Sequence, residues 1–478
     1  MMKNEYKNKL IELFEDWSGE KSIKITPLAQ SGSDRQYFRL TSENKTALGV
    51  YNNDSKENLA FIEFTKHFLK KGMRVPQMYA EEPTMDIYLL EDLGDMTLFA
   101  YLTEQKKTSI FTDELRGMYR KVLKELPRFQ VVAGEDLNYS LCYPRSSFDK
   151  TSMMWDLNYF KYYFLKLAQI PFDEQALEND FQALTDYLLE TEHQYFLYRD
   201  FQSRNIMIKD DEVYFIDYQG GRRGALQYDL ASLLYDAKAA IPQKERDALL
   251  EFYIDELENY VLVERDEFRA YFSGYVMIRI MQAMGAYGFR GFYEKKAHFL
   301  ASIPFALENL SNVLAKLDLP IKLPTLIPVL EKMVKSEKLR EIGVNRKKLV
   351  VSVNSFSYKR GIPVDESGHG GGFAFDCRAL HNPGRYDEYK QLTGMDLKVI
   401  EFLDKEDDVK LFLENVTALV EQSVEKYLER DFDHLTVNFG CTGGQHRSVY
   451  SAEYMARHLR NKYNIRVELR HREQEMKA

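Results

Sequence analysis

Two groups of residues in this chain have the types and spacing for phosphate chemistry. The first is Tyr198-Arg199-Asp200-Phe201-Gln202-Ser203-Arg204-Asn205, then the apolar run Ile206-Met207-Ile208, then Phe215-Ile216-Asp217. A carboxylate beside an acceptor hydroxyl takes up its proton and orients it. An amide oxygen five residues on and a second carboxylate twelve further suit Mg²⁺, a hard cation that bridges phosphate oxygens during phosphoryl transfer. On this reading Asp200 is the base, and Asn205 and Asp217 hold the metal. The plain alternative is a polar turn between buried strands, with Asp and Asn chosen for turn chemistry.

The second group is Cys441-Thr442-Gly443-Gly444-Gln445-His446-Arg447-Ser448. An alternating apolar run precedes it (Leu435, Val437, Phe439), and a helical pattern follows with Ala452, Met455, Ala456 and Leu459 on one face. A strand, a glycine-containing loop and a helix N-terminus converge backbone N–H groups on an anion. Three readings follow from the residues alone. Cys441 is the thiolate nucleophile of a cysteine phosphatase, with the Cys-x5-Arg spacing that wraps a phosphate. Or the loop binds a phosphorylated small molecule, with Arg447 as the anion fork. Or it is a tight turn that needs only Gly443 and Gly444. His446 and His471 fit no zinc spacing.

Elements to position these groups can be read from periodicity. Residues 1–18 form an amphipathic helix. Residues 23–92 are strand-rich, with a helix near 56–71. Residues 97–335 are mostly helical around a strand-and-turn island at 196–221, which suggests an α+β unit of two lobes. A charged stretch at 336–348 is the expected linker. Beyond it, strand 434–440, helix 446–461 and strand 465–471 read as a βαβ unit, and 395–430 as one or two helices. Asp229, at the start of an apolar helix, reads as a structural cap or brace for that helix.

Composition narrows the class. The chain has 478 residues, enough for about three domain-sized units, and 45% hydrophobic residues, enough for ordinary cores. A net charge of −9 opposes nucleic acid and anionic membranes. Three scattered cysteines argue against a disulfide framework. No signal peptide and no uninterrupted apolar span are apparent, so a cytoplasmic protein without membrane contact is expected.

The strings LYRDFQSRNIMI, YFIDYQGG and LQYDLASLLYD resemble the aminoglycoside-phosphotransferase-like kinases. Ser31-Gly32-Ser33-Asp34-Arg35-Gln36-Tyr37-Phe38-Arg39, the hinge-like Leu89-Leu90-Glu91-Asp92-Leu93-Gly94 and Trp155-Asp156-Leu157-Asn158-Tyr159-Phe160 narrow the likeness to the bacterial anomeric kinases of N-acetylmuramate and N-acetylglucosamine. The resemblance implies a two-lobed kinase-like fold over residues 1–335, with a small lobe to about 95, and ATP with Mg²⁺ as cofactors. It implies nucleotide contacts at Ser31, Gly32, Ser33, Arg35, Glu91 and Leu93, and acceptor contacts at Asp156 and Arg204. The chain departs from the pattern in three places: Tyr198 stands where His is usual, the loop at 31–37 has one glycine, and the strand ALGVYNN (47–53) has no lysine. Arg35, Arg39 and Arg204 are candidates for the missing charge, and no spacing rule chooses among them.

A second resemblance covers 349–473. Ser355-Phe356-Ser357-Tyr358-Lys359-Arg360-Gly361, Phe375-Asp376-Cys377-Arg378-Ala379-Leu380-His381, Leu392-Thr393-Gly394, the 441–448 loop and Arg470-His471-Arg472 are similar to the C-terminal domain of the RapZ family of RNase adapter proteins. It implies an α/β domain over 349–478 that binds an amino-sugar phosphate such as glucosamine-6-phosphate through Lys359, Asp376, Arg378, Cys441, Gly443, Gly444, His446, Arg447 and Ser448. The tail HREQEMKA lacks the Lys/Arg run of RNA-binding members, so RNA is a disfavoured partner. The expectation is an amino-sugar kinase fused to a sugar-phosphate-binding domain. The rival is a non-catalytic adapter with an inactive kinase unit.

Overall fold

The structure is a computed structural model that describes residues 2–28, 35–82, 84, 86–105, 111–342, 349–365, 371–430, 432–463 and 465–475. The chain divides into two compact units, Met1–Ile342 and Gly343–Ala478.

Period-two alternation sets the first sheet. Strands β1 (Lys24–Pro27), β2 (Gln36–Thr41), β3 (Thr46–Tyr51), β4 (Met78–Glu82) and β5 (Ile87–Glu91) pair antiparallel in the order β1-β2-β3-β5-β4. Phe38, Leu40, Ala47, Ile87 and Leu89 point to one face, where helix α1 (Met2–Ser18) covers them with Tyr6, Leu10 and Phe14. Each such apolar side chain contributes on the order of 2 kcal/mol by burial. Trp17 closes the end of this layer by stacking on Tyr79 of β4, centroids 4.2 Å apart. The intervening residues Tyr37, Leu48, Val50, Tyr88 and Leu90 face the main core, together with Phe61, Phe64 and Phe68 of helix α2 (Ser55–Lys70). Asp54 caps α2, its carboxylate accepting from the N–H groups of Lys56 and Glu57.

Among the described residues the rest of the first unit is helical except for the loops and two small antiparallel ribbons. One pairs β6 (Tyr195–Leu197) with β9 (Arg222–Gly224). The other is a hairpin of β7 (Ile206–Lys209) and β8 (Glu212–Phe215). Asp210 and Asp211 form the hairpin's two-residue turn at φ 52° and 60°, the left-handed conformation such turns require. No described helix is long and apolar enough to cross a membrane. Residues 337–341, expected in the linker, form a short helix (Glu337–Glu341) whose Leu339 is buried in the first unit's core. Residues 343–348 lie outside the described ones.

The second unit is a parallel sheet of β10 (Val350–Ser357), β11 (Gly372–Asp376), β12 (His434–Cys441) and β13 (Arg466–His471), in the order β11-β12-β10-β13. Val351, Val353, Leu435, Val437 and Phe439 pack with Val409, Val416 and Val420 of helix Asp407–Glu429 and with Ala452, Met455 and Ala456 of helix Arg447–Lys462. β12 is buried at every position but His434. Such burial is usual for an inner strand of a parallel sheet. The expected βαβ unit is present as β12, helix Arg447–Lys462 and β13, both strands flanking β10.

Candidate active site and anion-binding loop

Hairpin register brings Asn205 and Asp217 together. Ile206 pairs with Phe215, and the Ile216 N–H donates to the Asn205 carbonyl (3.1 Å), so Asp217, one residue on, lies within side-chain reach of Asn205 at the ribbon's open end. The Asn205 amide nitrogen donates to the Asp200 carbonyl (2.9 Å) and to Asp217 Oδ2 (3.1 Å). One amide thus ties the loop bearing Asp200 to the strand end bearing Asp217. Gln219 Nε2 donates to Asp217 Oδ1 (2.7 Å) and to Glu57 Oε1 of α2 (3.2 Å). Burial and the nearby Asp200 charge hold the Asp217 carboxyl above the ordinary carboxylate range.

Two residues here adopt strained backbone. Arg199 has φ 81° and Asp217 φ 70°, a conformation that costs non-glycine residues about 1–3 kcal/mol and clusters at functional sites. Asp229 over-determines the first of them. It is fully buried, and its carboxylate accepts from the backbone N–H of Tyr198 (2.7 Å) and Arg199 (3.0 Å) and from Gln130 Nε2 (3.3 Å). Burial pushes its carboxyl up to about 7, against those hydrogen bonds. The expectation that Asp229 serves the helix after it is corrected: it lies inside helix Leu226–Leu234 and clamps the loop of Asp200, some thirty residues upstream.

Asp156 has a partner within the protein. Its two carboxylate oxygens accept from Arg199 Nη2 (2.7 Å) and Nη1 (2.8 Å), so the group expected to meet the acceptor is engaged in positioning Arg199. Trp155 beside it is 52% exposed, with the Arg145 guanidinium over its ring. Arg204 is exposed. In the hinge, Leu93 is buried, and Glu91 pairs with Lys209 (2.7 Å). Arg35 is buried at the start of β2, in an ion pair with Glu57 (3.1 Å). Ser31, Gly32 and Ser33 lie outside the described residues. Sequence reasoning missed Glu57, Gln219 and Arg199. Gln219 and Arg199 sit within the motif strings, but their partners are distant in sequence.

A metal fits the donor set. Asn205 uses only its amide nitrogen in the hydrogen bonds above, which leaves its oxygen for a cation. Asp217 and Asp200 crowd negative charge at one point. Among the described residues no three His, Cys, Asp or Glu side chains form a metal cage. One carboxylate and one amide match Mg²⁺, which completes its shell from phosphates and water.

In the second unit, the predicted ligands follow the carboxyl ends of three parallel strands, the usual ligand edge of such sheets. Lys359 follows β10, Asp376 ends β11 with Arg378 just beyond, and Cys441 ends β12. A cavity of about 230 Å³ lies there, lined among others by Lys390, Cys441, Gly443, Gln445, His446 and Arg447. The Cys441 thiol accepts from Gly444 N (3.2 Å) and shares a hydrogen bond with Ser448 Oγ (3.1 Å). Gly444 has φ 65°, and a Cβ there would come within 2.3 Å of Glu473 Cγ. Gly443 opens onto free space. His446 Nε2 lies 2.9 Å from the Tyr389 carbonyl. Arg447 Nη1 donates to the carbonyls of Arg378 (2.7 Å) and Leu380 (2.8 Å), while its buried Nε has no hydrogen-bond partner. Asp376 and Arg378 pair with each other (2.6 Å), and Lys359 is exposed.

Comparison with known proteins agrees with this division. Residues 24–270 match the model of the phosphotransferase enzyme family, and residues 349–475 match the RapZ C-terminal domain. This chain belongs to the phosphotransferase enzyme family. Its phosphotransferase part has the kinase-like α+β fold, and its RapZ C-terminal domain is the parallel α/β sheet described above. A nucleotide-binding protein of Xylella fastidiosa (strain M12) is 42% identical over 128 residues, 27% of this chain and 42% of its own length. One from Acidobacterium capsulatum is 40% identical over 129 residues, 27% of this chain and 40% of its own length. The chain thus spans less than half the length of these curated relatives. Among solved structures, a choline kinase from Streptococcus pneumoniae is similar at 14% identity and TM-score 0.43, over 64% of this chain and 99% of that one. A spectinomycin phosphotransferase in complex with ADP and spectinomycin is similar at 11% identity and TM-score 0.43, over 69% and 98%.

Proposed function

We propose that the first unit transfers a phosphoryl group from ATP to a hydroxyl of an amino sugar, N-acetylmuramate or N-acetylglucosamine, at the anomeric position. The second unit binds an amino-sugar phosphate such as glucosamine-6-phosphate. The observation that carries the kinase reading is the junction of Asp200, Asn205 and Asp217 through one amide. Asp200 accepts the acceptor's proton and orients its oxygen. Asn205 Oδ1 and the Asp217 carboxylate hold Mg²⁺, which supplies charge neutralisation at the phosphates. Asp229 and the Asp156–Arg199 pair fix the loop that presents Asp200. In the second unit, the open backbone at Gly443 and the unpaired Arg447 Nε support anion binding. The Arg447 guanidinium turns one edge toward backbone carbonyls, which favours binding over thiol chemistry at Cys441.

The test is ATP consumption across a panel of amino sugars, with product position read by NMR. Turnover that falls by at least about 100-fold in Asp200→Ala and in Asp217→Ala supports the reading. The lysine-free β3 favours one other reading, a non-catalytic adapter. Absence of turnover with every sugar, by a chain that still binds nucleotide, selects it.

A further inference from the structure

The residues of β3 that face the main core are Leu48 and Val50, so this strand sends no ammonium toward a nucleotide. A cation nevertheless lies on that face. Arg35, one residue before β2, is 3% exposed. Its guanidinium pairs with Glu57 of α2 (3.1 Å), lies 3.5 Å from the Tyr37 hydroxyl and sits over the Phe61 ring, 5.4 Å from the centroid. Its charge also reaches Asp217, whose carboxyl it pulls down against the stronger effects of burial and Asp200.

This guanidinium is under-used. Among the described residues its buried Nε makes no hydrogen bond and its buried Nη2 meets only the Glu57 carboxylate, as the ion pair above, while the Tyr88 hydroxyl and Gln219 Oε1 are buried and unpaired as well. Idle buried donors on a charged group are costly, and native proteins pair nearly all of them. The other candidate cations are engaged or outside. Arg39 is held by Asp92 (2.6 and 3.0 Å) and Asp95 (2.9 and 3.2 Å), Lys209 by Glu91 (2.7 Å), and Arg204 is exposed.

We infer that Arg35 supplies the phosphate-binding charge that β3 lacks, its idle Nε–H donating to the polyphosphate of a nucleoside di- or triphosphate. Glu57 anchors it. Gln219 bridges Glu57 to Asp217, so one chain of contacts, Arg35–Glu57–Gln219–Asp217, sets the phosphate contact and the metal ligand together. The inference rests on the phosphotransferase reading above. A guanidinium also brings a planar fork of fixed charge where an ammonium would bring a point charge.

The test is calorimetric titration of the full chain with ADP and with adenosine, which differ only in the phosphates. Arg35→Met should weaken ADP by about tenfold or more and leave adenosine within about twofold, and Arg35→Lys should recover most of the loss. Arg39→Met should keep the ADP-to-adenosine ratio of the unmodified chain. ADP affinity untouched by Arg35→Met, or an equal loss for both ligands, overturns the assignment. So does a ratio that collapses in Arg39→Met instead. Circular dichroism checks folding, and Arg35→Gln gives the same reading should Arg35→Met not fold. An unmodified chain that binds neither ligand defeats the phosphotransferase reading along with this one. Binding of ADP indifferent to Arg35 defeats this one alone.

Discussion

On the proposed reading, Asp217 concentrates the chemistry of the first unit in one carboxyl. Its protonated form persists above the ordinary carboxylate range because of burial and the Asp200 charge. The folded state therefore keeps a proton that the unfolded chain has already lost. The stability from that proton is present at low pH and fades as pH rises through the raised value. Metal binding needs the ionised form and must expel the proton. Affinity for Mg²⁺–ADP should therefore fall as pH drops from neutrality into the acid range, with net proton release in calorimetry run in two buffers. Affinity that stays level across that range would count against Asp217 as ligand. Breaking the buried Asp156–Arg199 pair is a second test at this scale. Asp156→Ala leaves a buried guanidinium without its carboxylate and should cost about 3–5 kcal/mol in denaturant melts. How far single residues were legible follows from separation. Asp200, Asn205 and Asp217 could be read because a short hairpin fixes their spacing. The Arg35–Glu57 pair could not, because it crosses from a sheet to a helix, and alternation along β2 says nothing about depth.

At the scale of elements, two loops depend on groups that hold their backbone. The Asp200 loop leans on Asp229. Asp229→Ala leaves the Tyr198 and Arg199 N–H groups buried without acceptors and should cost about 3 kcal/mol, with a loss of turnover larger than the loss of nucleotide affinity. Equal losses would mean that the clamp serves the whole lobe. The Cys441 loop leans on Gly444. Gly444→Ala places a Cβ at φ 65° against Glu473 and should destabilise the second unit by about 1–3 kcal/mol and weaken glucosamine-6-phosphate binding. Unchanged binding would remove the loop from the ligand site. Most helices were legible from period, and the inner strands of the first sheet from short apolar runs, because one face meets α1 and the other the main core. The clamp was not, since a helix-borne carboxylate that serves a distant loop looks in sequence like an ordinary cap.

Among the described residues the first unit holds the main core and the α1 layer, and the second unit holds a core of its own. Two unfolding transitions are expected in calorimetry. ADP should raise one and glucosamine-6-phosphate the other, by about 2.7 kcal/mol each at a hundredfold excess over Kd. A single transition moved by both ligands would show that the units unfold as one. The boundary at this scale was legible as a change from helical pattern to buried strands, whereas the packing of Leu339 was hidden in a charged stretch that reads as linker.

The chain has two tryptophans, Trp17 stacked on Tyr79 and Trp155 half open to water, and both lie in the first unit. Indole fluorescence thus reports on the kinase-like part alone, while the parallel sheet melts unseen at that wavelength. Acrylamide should quench the Trp155 component first, since its ring is half open to solvent, one residue from the Asp156 that pairs with Arg199. An acceptor that settles there would shield it, giving an optical titration that needs no label.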